Sequence, residues 1–84
     1  MDYKEAFLNK GYSEKSSGLF ASWMNKLQKH YSAKKIEDIT LSEIKSFVDL
    51  LQTRRNLSAS SRIQAKKAFE FWYNSILNKG YNFN

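Results

Sequence analysis

The residues best equipped for chemistry lie between Thr53 and Ala68. Arg54, Arg55, Arg62, Lys66 and Lys67 fall there with no acidic residue among them. Ser58, Ser60 and Ser61 stand just ahead of Arg62 at what reads as a helix start. Hydroxyls, free backbone N–H groups and the positive end of a helix dipole together suit a phosphate oxygen. A second acid-free stretch, Asn25 to Ile36, carries Lys26, Lys29, Lys34 and Lys35. The chemistry on offer is anion recognition, and DNA is bound with equipment of this kind: cations and N–H groups for the backbone, a helix face for the groove. Ser58 and Ser60 are equally good helix caps whatever the partner.

Groups for bond-breaking chemistry are sparse. The one histidine, His30, falls near the apolar stripe of a helix, where a packing or capping role fits better than catalysis. There is no cysteine, so thiolates, disulfides and Cys-type zinc sites are excluded. No metal-ligand spacing and no phosphate-gripping glycine loop appears, so neither a metal nor another cofactor is expected.

These side chains need a scaffold, and 84 residues make one domain, 1–84. The hydrophobic content of 42% and charged content of 26% are those of a folded domain. Aromatics reach 15%, which gives so small a chain enough area to bury. Lys and Arg total 14 against 8 Asp and Glu, for a charge of +6 that favours anionic partners. No run approaches the roughly 20 apolar residues of a membrane span, and the N-terminus lacks a signal-peptide core. A reducing cytoplasm is expected.

Proline is absent and glycines number three, which favours helix throughout. The pattern predicts four helices in a compact all-α bundle. The first, Tyr3 to Lys10, stops at Gly11 in a left-handed turn. The second, Glu14 to Tyr31, buries Leu19, Phe20, Trp23, Leu27 and Tyr31, with Gly18 a weak point. Ser32 to Ile39 reads as a loop exposing Lys34 and Lys35. The third opens with the capping box Thr40-Leu41-Ser42-Glu43, stapled by Ile39 and Ile44, and buries Ile44, Phe47, Val48 and Leu51. The fourth runs from Ser58 to Gly80. Its core arc holds Ala65, Phe69, Trp72 and Ile76, and the opposite side holds Ser60, Ile63, Lys66, Lys67, Glu70 and Asn74.

The stretch Leu57 to Leu77, with Ser58-Ala59-Ser60-Ser61, Gln64-Ala65, Ala68, Phe69, Tyr73 and Leu77, resembles the last long helix of the core-binding domain of tyrosine recombinases, in the phage and integron integrase branch. Gly11-Tyr12-Ser13-Glu14-Lys15-Ser16 resembles the family's opening turn, with Phe20 and Trp23 where it has Tyr and Trp. Ile39-Thr40, Ile44, Phe47 and Leu51 resemble its next helix, so the likeness spans Tyr3 to Tyr81.

The resemblance implies a four-helix SAM-like unit that clamps one face of a recombination-site duplex. A separate C-terminal domain supplies the tyrosine nucleophile and the residues that stabilise phosphoryl charge, so this domain is expected to be non-catalytic. Contacts are implied at Lys15, Ser16, Ser60, Ser61, Arg62, Gln64 and Lys67, with phosphate contacts at Lys34, Lys35, Arg54 and Arg55. Ser58 and Lys66 join them from the charge pattern. Ser61 replaces the usual Thr, and Arg62 and Ile63 replace commoner polar residues. The implied partners are double-stranded DNA, the catalytic domain and other protomers on the site. The alternative is a small helical protein-interaction domain with a basic face. A membrane-surface helix fits poorly, because Phe69 and Trp72 are needed for the core.

Overall fold

In the computed structural model, which describes residues 2–54 and 57–83, all regular structure among those residues is helical. The first helix, α1 (Tyr3–Asn9), starts where the Asp2 carboxylate accepts the Glu5 N–H at 3.2 Å. It ends on Gly11, whose φ of +96° lets the Gly11 and Tyr12 amides turn back to the carbonyls of Leu8 and Phe7. The second, α2 (Glu14–His30), is capped by the Ser13 hydroxyl on the Ser16 N–H at 3.1 Å.

Phe20, Ala21, Trp23, Met24 and Leu27 of α2 are buried. Leu19 is not: it lies about 100° around the helix from Phe20, off the core stripe, and is exposed. Tyr31 ends the helix half-buried and donates its hydroxyl to the Glu43 carbonyl at 3.0 Å.

The expected loop contains one turn of 3-10 helix, Ile36–Asp38, with Ile36 buried. After it, α3 (Leu41–Arg54) runs beyond Leu51. Its capping box forms as the residue types require. The Thr40 N–H donates to Glu43 Oε1 at 3.0 Å, and the Glu43 N–H donates to Thr40 Oγ1 at 3.2 Å. The stapling residues Ile39 and Ile44 are both fully buried. Phe47 and Leu51 continue the buried stripe, with Val48 half-buried beside them.

The last helix departs from the sequence expectation. It is α-helical only over α4 (Ala59–Glu70), capped by the Ser58 hydroxyl on the Ser61 N–H. From Phe71–Ile76 it widens into a π-helix, so the Leu77 N–H reaches back to the Trp72 carbonyl at 3.0 Å. Trp72 and Tyr73 are both fully buried in this segment.

The chain does not continue as helix to Gly80. It folds back, and the Asn74 side chain grips it: Nδ2 donates to the Tyr81 carbonyl at 2.7 Å and Oδ1 accepts the Tyr81 N–H at 2.6 Å. Tyr81 stacks on Tyr73, and Phe83 is buried beyond it.

The core is aromatic where α1, α2 and the π-helix meet. Trp72 takes Tyr3 edge-on at a ring separation of 4.9 Å and Phe7 at 5.5 Å, while Phe20 lies 5.4 Å from Phe7. Such pairs add about 0.5–1.5 kcal/mol each beyond burial. Among the described residues the Trp72 indole N–H has no acceptor. The Tyr73 hydroxyl, by contrast, donates to the Ile36 carbonyl at 2.5 Å and ties the 3-10 turn to the last helix.

Candidate nucleic-acid interface

Helices α2 and α4 pack against each other, and their N-terminal halves leave a groove of about 360 Å³. Ser16 and Leu19 line it from α2, and Ser60, Ile63, Gln64 and Lys67 from α4, over a floor that includes Phe20. Two segments far apart in sequence, each expected to contact an anion, are thus walls of one groove. Helical spacing explains the α4 wall: Ser60, Ile63, Gln64 and Lys67 are three or four residues apart and share a face.

Gln64 is held from α2. The Trp23 indole N–H donates to Gln64 Oε1 at 3.4 Å, and among the described residues the two amide N–H donors of Gln64 are uncommitted. The Lys26 ammonium sits 4.5 Å over the Trp23 ring, a cation that the resemblance does not include. Its i, i+3 spacing from Trp23 on α2 was the available signal.

The basic residues of α4 do not form one face. Arg62 and Lys66 turn to the other side of Ile63, where with Lys45, Asp49 and Gln52 of α3 they line a second groove of about 490 Å³. Its floor is apolar and includes Ile44, Val48 and Phe83. Ile63 therefore forms a ridge between two grooves, and it borders both.

The remaining expected positions are scattered. Lys15 is exposed beside Ser16 at the start of α2. Ser58 and Ser61 turn toward each other, hydroxyl to hydroxyl at 3.2 Å, as part of the α4 cap. Lys34 is bound to Glu43, Nζ to Oε1 at 2.8 Å, so its charge is already matched. That contact, with the Thr40 N–H, holds the Glu43 carboxyl below its ordinary value. Lys35 lines a separate hollow with Tyr3, Gln28 and Glu37. Neither lysine lines the α2–α4 groove. Arg54 is the last residue of α3, and Arg55 lies outside the described residues.

The tyrosines and His30 have packing surroundings. Burial pushes the hydroxyls of Tyr3, Tyr31 and Tyr73 above the ordinary tyrosine range, away from the phenolate a nucleophile requires. His30 is exposed, with its ring 4.6 Å from Tyr31 and 5.0 Å from Phe47. Among the described residues no three His, Asp or Glu side chains converge as a metal site would require, and no helix is long and apolar enough to cross a membrane.

An all-α bundle of SAM-like type, with two cationic grooves flanking its last helix, is the class this geometry defines. The family described as phage integrase, N-terminal SAM-like domain, matches residues 2–82, and the chain belongs to that family. The match places it with the tyrosine recombinases, as their N-terminal SAM-like part rather than the catalytic one. No curated protein and no solved structure matches the chain.

Proposed function

We propose that this domain is a core-binding unit that clamps one face of a recombination-site duplex during DNA integration and recombination. Ser16, Ser60, Gln64 and Lys67 meeting in one groove supports this reading most directly, because it gathers hydroxyl, amide and ammonium groups from two helices. Lys15 extends the groove, and Arg62 and Lys66 flank it. The hydroxyls and cations hold phosphates, while Gln64 is free to donate to a base edge. Its partners on this reading are double-stranded DNA, the C-terminal catalytic domain of the same parent chain, and other protomers on the site. The setting is the bacterial cytoplasm, on the nucleoid. The domain itself performs no chemistry.

An NMR titration of the labelled chain with a short duplex at low and moderate salt tests the reading. Shifts centred on Lys15, Ser16 and Ser58 to Lys67 that fade with salt are the expected outcome. Affinity should fall log-linearly, with a slope of about −0.9 per phosphate contacted. Shifts confined to the α3–α4 groove and insensitive to salt would instead support the protein-interaction reading, which the apolar floor of that groove favours.

A further inference from the structure

Ile63 is 53% exposed, the highest value among the large apolar side chains of the described residues, and Leu19 in the same groove is 40% exposed. Neither is needed to seal the core. Ala65, Ala68 and Phe69 do that for α4, and Phe20, Trp23 and Leu27 for α2. Polar and charged side chains rim the pair, above grooves whose floors are apolar. Ser60, Gln64 and Lys67 border Ile63 on one side, and Arg62 and Lys66 on the other.

A rim of cations, hydroxyls and amide donors around an exposed apolar pair calls for a partner with the complementary distribution. That partner is a polyanion bearing donors, acceptors and an apolar group at close range. The major groove of DNA presents one such group, the thymine 5-methyl, beside base-edge acceptors and within reach of phosphates. An acidic peptide would satisfy the cations and offer carbonyl acceptors, but it lacks the evenly spaced phosphates beside base edges that a duplex presents.

We propose that Ile63, with Leu19 beside it, reads thymine 5-methyl groups in the major groove and so gives this domain a sequence preference. The inference rests on the duplex-clamping function above and adds the feature that is read. It uses packing alone: the methyl is buried between the two aliphatic side chains while Lys67 and Ser60 hold the adjoining backbone.

Two short duplexes test it, identical except that deoxyuridine replaces every thymidine in the second, with affinities measured by fluorescence anisotropy. The unaltered chain should bind the thymidine duplex about fourfold more tightly for each methyl buried, equivalent to about 0.8 kcal/mol. Ile63→Ala should bring the two affinities together, largely by weakening binding to the thymidine duplex. Leu19→Ala should narrow the gap in part. Both positions are exposed, and circular dichroism checks that each variant is folded. Equal affinity of the unaltered chain for both duplexes overturns methyl reading while leaving the clamp intact. A preference that survives both substitutions overturns the assignment to these residues. Binding to neither duplex overturns the clamp and the methyl reading together.

Discussion

Trp23 and Gln64 are joined across the α2–α4 packing, the indole N–H donating to the amide oxygen at 3.4 Å. The bond fixes a side chain that faces a basic groove by means of one whose ring is in the core. Removing the acceptor therefore reaches both stability and binding. Gln64→Ala should cost about 1 kcal/mol, the usual net worth of such a bond, and lower the affinity for duplex. The Trp23 indole N–H resonance should move in the variant while that of Trp72 stays in place.

Charge alone should be separable from fold on α4. Lys67→Ala and Arg62→Ala should each weaken duplex binding and reduce the salt slope by about 1, with the thermal midpoint unchanged. Lys34→Ala provides the contrast, since its ammonium is already paired with Glu43. It should alter affinity less than either. Equal losses in all three would mean that binding follows net charge rather than the groove.

Trp72 is the largest fully buried side chain, and it touches both aromatic residues of α1. Trp72→Ala should destabilise the domain by about 3–5 kcal/mol, enough to unfold much of a marginally stable chain. Trp72→Phe should cost distinctly less, because the lost indole N–H has no acceptor. Chemical denaturation of the two variants gives the comparison.

The Tyr73 hydroxyl is neutral when protonated, and burial raises its folded-state value above the ordinary 10.0. Its contribution is whole below about pH 10 and is lost as pH climbs through the higher folded-state value. Alkaline unfolding should therefore begin near pH 10 and be blunted in Tyr73→Phe. At neutral pH the same variant should be less stable by about 1 kcal/mol, since the Ile36 carbonyl loses a donor but keeps a second contact from the Ile39 N–H.

Gly18 lies inside α2, and a Cβ there would meet nothing within 4 Å. Gly18→Ala should stabilise the domain by about 0.4–1 kcal/mol by restricting the unfolded chain. A thermal melt reads this directly. Unchanged duplex affinity would place Gly18 outside the interface.

What could be read along the chain was whatever depends on near neighbours. The capping box at Thr40 and Glu43, the Ile39–Ile44 staple, the left-handed stop at Gly11 and the core arc of Ala65, Phe69 and Trp72, with Ile76 only half-buried at its end, all depend on residues within a turn or two. Local periodicity and cap chemistry specify them, and the structure follows. The serine- and lysine-rich start of α4 was visible for the same reason.

Tertiary packing decided the rest. Leu19 reads as a core residue by spacing, yet the stripe that meets α1 and α4 is centred on Phe20, which leaves Leu19 outside. The last helix reads as α to Gly80, but it widens at Phe71 and folds back before Gly80, where Asn74 grips Tyr81, and Tyr73 gains its partner from Ile36, distant in sequence. The basic side of α4 reads as one face. Only with α2 on one side and α3 on the other does Ile63 become a ridge, dividing Lys67 from Arg62 and Lys66. A groove has two walls, and a helical pattern describes one of them; the second wall comes from whichever element the core draws alongside.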